Sequence, residues 1–566
     1  MRLSIIAFAV ATVLSVANAK KQITYNVVSL EGGQQDMSVI VDNVSYPLVP
    51  SAEVPILYTG SAPVASHGYK YAIGTGRNSM KAESFTRKKT NETTPNETFG
   101  RSWNTRKVKT VKPIFPPLQA IDRLDSPLHI DGEIPTVYLS GIQSELDNMH
   151  INAMQDITIP INFTYISPRD VQVFPDIEFE LSGRSSRWLP KVSYNLKLKK
   201  KSKNHLYSYR RLKLRSIAND DSYLRERIGY DIIGSVGLAT TKYSYVRVVL
   251  NDKPLGLFGF IEAFQNPWLL NEFANGDEDY ENGPLYQGKY LTAESMMAGV
   301  SSDLSYYGNN ITKYELGQYD LKEDPAKGEP SFQPLMDFTK FVYDAPTNTS
   351  DAVEVWQKTF DTDSFLRSMA LEILMGYSDG YITMTNNFYI YYETKSSRFI
   401  YMPSDIDMTL GSSFFKISDV ASGNYSTYPS FYKRPLLNKI LEVPGFKTQF
   451  EDLIFDITKK LFNLKKLGPR IDDQAEMIAE DVAWDKICPR AGRNLISDGS
   501  ADESLNAMGP AGVDMPTAKD YYARIGQPVP FKVAIDGPTG HLSLPGLKEY
   551  IKLQSDNTLK FFKNRK

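Results

Sequence analysis

A single cysteine, Cys488, stands in a chain of 566 residues, so no intrachain disulfide can staple the fold. Stability has to come from apolar burial in large cores, because the disulfide-dense scaffolds that small extracellular domains use are closed to this sequence. The composition supplies what such cores need. Hydrophobic residues make up 42% and charged residues 23%, which excludes a mostly disordered, collagen-like or coiled-coil chain. The length corresponds to roughly three to four domains' worth of material. Histidine is as scarce as cysteine: His67, His129, His150, His205 and His541 are scattered, and no HExxH or paired Cys/His spacing is present, which excludes a zinc site built from them. No GxSxG elbow occurs. A formal charge of −2 argues against a basic nucleic-acid binder.

The N-terminus reads as a secretory signal over residues 1–19. Arg2 provides the positive end, Ile5 to Val16 is mostly apolar, and Ala17-Asn18-Ala19 fits a small-x-small cleavage site. That apolar run, about 12 residues, falls short of the roughly 20 needed to span a bilayer. Seven N-x-S/T sequons follow, at Asn43, Asn91, Asn96, Asn162, Asn310, Asn348 and Asn424, and are expected glycosylation sites on a secretory route. No second apolar segment has spanning length, and the basic C-terminal residues lack the hydrophobic tail of a GPI signal. The expectation is a protein that is secreted or held at the surface non-covalently, without a transmembrane or GPI anchor.

Along the chain, residues 20–83 carry β-branched runs (Ile23 to Val28, Met37 to Val41) broken by Asp42-Asn43, which predicts a small β-sandwich-like domain. Residues 84–124 are largely polar and basic, with two sequons and Pro95 and Pro113, and read as a linker or long loop. From 125 to 566 strands and helices alternate, an α+β pattern. The segment 184–215 holds twelve Lys/Arg and no acid and is partly a strand. It is either a solvated basic face or a site for phosphates. A helix is predicted over 222–235 with Asp221 or Ser222 as N-cap, then a hairpin from Tyr243 to Ala263, and a second helix over Ser364–Met375, capped by Asp363 and stopped by Gly376. The Gly283–Lys289 stretch mimics a phosphate loop, but Tyr290 stands where the metal-binding Ser or Thr is needed.

Residues 376–411 carry the chemistry. Asp379 sits in a turn after the second helix. Asn386 and Asn387 precede a strand, Lys395 to Ser397 turn the chain, and a return strand leads to Asp405 and Asp407. A hairpin centred near 395–396 sets 386 opposite 405 and 387 opposite 404 to within about one residue, so amide and carboxylate oxygens converge at one end with Asp379 beside them. Such a set suits Mg²⁺ or Mn²⁺ rather than zinc; the structural alternative is that Asp and Asn are simply common at strand ends. Helix, Asp loop, Asn, hairpin, Asp is also the order of a protein kinase catalytic core. GxGxxG, VAIK and HRD are absent, so only an atypical kinase fits.

These blocks resemble the spore coat protein H (CotH) kinase-like family, in particular its secreted fungal branch, over roughly 125–415. The carriers are Gly183-Arg184-Ser185-Ser186-Arg187-Trp188 through Tyr194, Arg211-Leu212-Lys213-Leu214-Arg215-Ser216, Asp221 to Glu226, Gly256 to Glu262, Asn386 to Tyr391, and Pro403-Ser404-Asp405-Ile406-Asp407. The resemblance implies an α+β, atypical two-lobed protein-kinase-like core, with an N-lobe over about 125–275 and a C-lobe over about 276–566. It implies ATP with Mg²⁺ or Mn²⁺ as cofactor. Lys191 would contact the nucleotide phosphates (Lys197 and Lys213 being alternatives), with Arg184 beside the nucleotide, Glu226 paired to the lysine, and Glu262 lining the pocket. Asp379 would be catalytic, and Asn387, Asp405 and Asp407 would hold metal. Ser-rich secreted or coat proteins would be the substrates. The alternative function is a surface adhesin, or a coat structural protein, that keeps the fold and binds host or wall receptors. A wall-polysaccharide-binding N-terminal domain is a third.

Overall fold

Alternation of apolar and polar residues builds the first of two compact units, Met1–Asn104. The computed structural model describes residues 21–31, 35–76, 79–200, 205–494, 512–525 and 527–563, so the expected signal segment lies outside the described residues. In β1 (Gln22–Val28), Ile23, Tyr25 and Val27 are buried while Gln22, Thr24 and Asn26 are more exposed. β2 (Asp36–Val41) and β3 (Val44–Pro50) are joined by Asp42 and Asn43 with φ of 48° and 66°, the tight-hairpin geometry that Asp and Asn tolerate. β4 (Leu57–Pro63), β5 (Gly68–Gly74), β6 (Lys81–Ala82), β7 (Arg87–Lys88) and β8 (Asn96–Thr98) complete the sheet, with hydrogen-bonded order β6-β5-β2-β3-β4-β1-β8 and β7 also on β5. Val44–Leu48 of β3 pair with β2 and Val49–Pro50 pair with β4, so both halves of the sheet share one core around Tyr25, Val39, Tyr58 and Tyr71.

The linker reading of 84–124 is corrected here: β7 and β8 belong to this sheet, and the unit runs to Asn104. Composition misled because the charges pair inside. Arg87 lies 2.6 Å from Glu83 and 3.1 Å from Glu97, and the Tyr69 and Tyr71 hydroxyls donate to Glu97 at 2.8 Å.

The second unit, Thr105–Lys566, is mixed α+β. Its strands β9 (Thr136–Ser140), β10 (Thr158–Ile166), β11 (Val171–Ser182), β12 (Ser193–Lys197), β13 (Arg211–Arg215), β14 (Tyr243–Leu250) and β15 (Lys253–Glu262) close a barrel in the order β10-β11-β12-β13-β15-β14-β9. Helix α1 (Arg225–Ser235) connects β13 to β14. Its N-terminus is capped by neither Asp221 nor Ser222. Asp220 accepts from the Arg225 N–H at 2.8 Å and from the Ser222 N–H at 2.9 Å.

After the barrel, β16 (Leu285–Lys289), β17 (Tyr319–Glu323), β18 (Asn386–Glu393) and β19 (Arg398–Pro403) form a sheet of order β17-β16-β18-β19, so the phosphate-loop look-alike is a strand. Helix α2 (Thr362–Met375) is buried almost throughout, its Phe365, Met369 and Ile373 in core contact as expected. Its cap is Asp361, which accepts from the Ser364 N–H, rather than Asp363. Helices α3 (Pro444–Lys460), α4 (Leu464–Ile487), α5 (Met515–Ile525) and α6 (Leu547–Lys563) follow. Among the described residues no helix is long and apolar enough to cross a membrane.

Helix α4 ties the barrel to the helical part through a polar stripe. Arg470 meets Asp131 at 2.6 Å and Asp231 of α1 at 2.9 Å, Asp481 meets Arg247 at 2.8 Å, and Asp485 meets Lys191 at 2.6 Å. The spacing returns these side chains to one face of the helix. Gly256, at φ +107°, makes room for Asp485, whose Oδ1 would lie 1.9 Å from a Cβ there.

Arg87→Ala would leave Glu83 and Glu97 buried without a counter-charge, and we expect it to destabilise the first unit by about 3–5 kcal/mol in urea unfolding; an unchanged midpoint would show that the pair is solvated.

Candidate active site

Helix α2 ends at Gly376, whose φ of 62° turns the chain into the loop that carries Asp379. A helical turn, Tyr381–Met384, leads into β18 through Thr385 at φ 50°. Phe388 pairs with Pro403, and the Ser404 N–H donates to the Asn387 carbonyl at 2.9 Å, so 387 faces 404 and 386 faces 405. Asn387 and Asp405 both adopt left-handed backbone, at φ 56° and 49°. Asn and Asp bear that conformation better than other non-glycine residues, and such strain gathers at functional sites. Asn387 Nδ2 donates to Asp379 Oδ2 at 2.8 Å, and the Tyr377 hydroxyl donates to the Asp405 carbonyl at 2.7 Å.

The barrel contributes the positive charge. Arg215, at the end of β13, donates through Nε to Glu226 Oε1 at 2.8 Å, and its Nη2 stands 2.6 Å from Asp405 Oδ1 and 3.4 Å from Asp407 Oδ2. Asp407 also accepts from Asn219 Nδ2 at 2.8 Å. Lys213, two residues before Arg215 and on the same face of β13, makes no ion pair among the described residues. Burial holds its pKa below the usual lysine range, with Asp405 the leading opposing charge.

The carboxylates outnumber these cations. Burial, and then Asp407 and Asp405, push Asp379 well above the usual carboxylate range; burial and Asp405 raise Asp407. Burial works to raise Asp405 as well, but Arg215 and Lys213 together hold it below the usual carboxylate range. Burial pushes Glu226 up to about 7 against the pull of Arg215.

The donor set fits a hard divalent cation. Every available atom is oxygen: Asp379 Oδ1 is buried with no hydrogen-bond partner among the described residues, Asn387 commits its Nδ2 and not its Oδ1, and the Asp405 side chain remains 37% exposed. Among the described residues no group of three His, Cys, Asp or Glu is already gathered as a cage. The amide of Asn387 and a ligand's own oxygens would have to complete the shell.

Two expected nucleotide contacts, Lys191 and Glu262, stand elsewhere. Lys191 lies in the β11–β12 connection and not on β13. Its Nζ donates to Leu257 O at 2.5 Å and pairs with Asp485, over the Phe258 ring at 4.3 Å. It is thus a structural lysine, and Glu226 pairs with Arg215 instead. Glu262 is 2% exposed, 3.4 Å from His129 and accepting from the Lys242 N–H at 2.9 Å. Burial opposes its ionisation, but His129 and these bonds hold it at about 2, so it belongs to an internal network. Arg184 is exposed, with Nη1 3.4 Å from the Lys289 carbonyl. Arg215 and Asn219 were missed, and Lys213 stood only as an alternative. The available signal was the Arg211-Lys213-Arg215 alternation on the strand that immediately precedes the Glu226 helix. Of the sequon asparagines, Asn43, Asn91, Asn162, Asn310 and Asn348 are exposed, and Asn96 and Asn424 are half-buried.

A family model described as CotH kinase protein matches residues 179–487, a span that contains every residue of the cluster. Invasin CotH7 of Rhizopus delemar is 24% identical over 442 residues, covering 76% of this chain and 69% of that protein. Invasin CotH3 of the same organism is 26% identical over 506 residues, covering 86% and 78%. Inner spore coat protein H of Bacillus subtilis is 22% identical over 310 residues, covering 55% and 78%.

The Asp379 loop is braced from below. Glu372 of α2 is 3% exposed and accepts from the Ile382 N–H at 2.5 Å, and Arg434 donates to the Ile382 and Thr383 carbonyls at 2.7 and 2.9 Å. Burial pushes the Glu372 carboxyl up to about 8, from an ordinary 4.5. Its contribution to stability is therefore complete below pH 4.5 and lost as pH rises toward 8, where the unfolded chain has released the proton and the folded one still holds it. Glu372→Gln removes that dependence. The melting-temperature advantage of wild type over this variant should shrink between pH 5 and pH 8, roughly the window the raised pKa defines; a difference constant with pH would refute the assignment.

Proposed function

The chain belongs to the CotH kinase protein family, and on that premise we propose that it transfers the γ-phosphoryl group of ATP to Ser or Thr hydroxyls of surface or coat proteins. One observation carries this reading: Asp379, Asn387 and Asp405, brought together by a loop and a hairpin, face Lys213 and Arg215 from the last barrel strand before α1. The order of elements supports it. β11, β12 and β13, then α1 with Glu226, then β14 and β15 follow the order of a kinase N-lobe, and α2, the Asp379 loop, β18, β19 and Asp405 follow that of the catalytic half.

In this reading Lys213 and Arg215 neutralise phosphate oxygens, and Glu226 holds Arg215 in place. Asp379 accepts the proton of the acceptor hydroxyl; Asn387 orients Asp379 through Nδ2. Asp405, Asp407 and the Asn387 Oδ1 would hold Mg²⁺ or Mn²⁺, which when bound supplies charge neutralisation on the β- and γ-phosphates. The protein's contribution is mainly positioning and electrostatics.

The relatives' names, spore coat protein and invasin, support placing this chain at a cell or spore surface, with the secretory signal and sequons in keeping. A second reading is a surface adhesin that keeps the fold without the reaction and binds host receptors. It is favoured by the invasin names and by Arg215, which occupies the carboxylates a metal would need.

Transfer from γ-labelled ATP with Mg²⁺ or Mn²⁺ to a Ser-rich acceptor separates the two. Wild type should label the acceptor, Asp405→Ala should not, and Asp379→Asn should lose roughly 10²–10⁴-fold in kcat. No label and no ATP-dependent thermal shift in wild type would sink the kinase reading and leave the adhesin. Lysine substitutions test the reassignment. Lys213→Ala should raise the KM for ATP, whereas Lys191→Ala should lower the melting temperature and leave that KM unchanged; the reverse pattern would restore Lys191 as the phosphate contact.

A further inference from the structure

The family match ends at residue 487, yet the chain returns to the cluster beyond it. Helix α5 lies against the segment that follows Asp405. The Asp514 N–H donates to the Phe414 carbonyl at 3.0 Å, and the Phe414 and Tyr521 rings meet edge-on at 4.7 Å. Phe414 in turn donates its N–H to Ser378 Oγ at 2.8 Å, beside Asp379. The end of α5 carries Arg524, 2% exposed, with its guanidinium 4.7 Å above the Tyr521 ring.

Among the described residues Arg524 pairs with no carboxylate, and its donors go to three neutral acceptors. Nη1 donates to the Asn219 carbonyl at 2.9 Å, Nη2 to Ser412 Oγ at 3.0 Å, and Nε to Ser543 Oγ at 3.1 Å. Burying a guanidinium without a counter-ion costs much of its hydration, which here only the three hydrogen bonds and the Tyr521 ring offset. What this geometry fixes is the spacing between two loops. One holds Asn219, whose Nδ2 donates to Asp407 at 2.8 Å and lies 3.4 Å from the Tyr521 hydroxyl. The other is the segment from Asp405 to Ser412.

We propose that Arg524 and Asn219 are positioning residues for the Asp405–Asp407 carboxylates, so that the site is incomplete without α5, a helix outside the matched family span. The metal-binding part of this inference rests on the kinase reading; the positioning part rests on the geometry alone. It implies that a protein truncated at the end of the matched span loses the site even where the rest of the second unit folds. It also makes α5 the place where sequence change outside the family core can tune the cluster.

The test uses the full chain as wild type, Arg524→Lys and Asn219→Ala. Hydrogen exchange is followed in peptides covering 405–413, and Mn²⁺ binding in the presence of ATP is followed by the paramagnetic resonance of free Mn²⁺. Both variants should exchange faster in 405–413 with α2 and β10 unchanged, and both should bind Mn²⁺ with ATP roughly 10–100-fold more weakly, the usual loss when a partner behind a metal ligand is removed. Unchanged exchange and unchanged affinity in both variants would overturn the proposal. If Arg524→Lys loses protection throughout, Asn219→Ala decides, since it removes the side-chain contacts to Asp407, Met408 and Tyr521 and leaves the Asn219 carbonyl that Arg524 meets. Wild type that binds no Mn²⁺ with ATP would refute the kinase reading, and the exchange measurement would still decide the positioning role.

Discussion

Arg215 is the contact on which the second unit turns. One guanidinium at the end of β13 meets Glu226 of α1, Asp405 at the end of the hairpin, and Asp407 just beyond it. These groups come from the barrel, from the helix that crosses between its strands, and from the sheet and helices that follow. A buried cation with carboxylates on two sides sets a distance between all three parts, because withdrawing it would leave Glu226 buried without its counter-charge, a loss of about 3–5 kcal/mol. Asp405 remains the most acidic of the cluster for the same reason, while Asp379 and Asp407 are driven upward.

Around that contact the fold uses polar groups as struts. Helix α4 grips the barrel through Arg470, Asp481 and Asp485; Glu372 and Arg434 hold the Asp379 loop by its main-chain N–H and carbonyl groups; Arg524 holds the segment after Asp405. With no disulfide available, large apolar cores supply the stability and these buried ionic contacts supply the register. The left-handed residues Thr385, Asn387 and Asp405 can persist at the cluster because neighbouring bonds over-determine them.

How much of this the sequence disclosed depended on range. The register of the 386–405 hairpin followed from its turn to within about one residue, and the expected pairing of Asn387 with Ser404 is the one observed. The buried stripe of α2 and the β14–β15 hairpin were equally local. Lys191 failed because a lysine in a basic run reveals nothing about its partner, and the partner here is Asp485, 294 positions away. The linker reading failed for the same reason on a smaller scale: Arg87 finds Glu97 only once the sheet has formed.

By itself, then, the sequence determined what nearest-neighbour chemistry can determine. It specified a chain without disulfides, its β and helical stretches, the hairpin that converges Asn387 with Asp405, and the blocks that mark its family. Tertiary structure alone decided which cation faces those carboxylates, which lysine is merely structural, and that a helix beyond the matched span completes the cluster. Periodicity and turn chemistry act over a few residues, whereas the choice of counter-ion for a buried charge is made by whichever distant segment the packed cores bring within hydrogen-bonding distance.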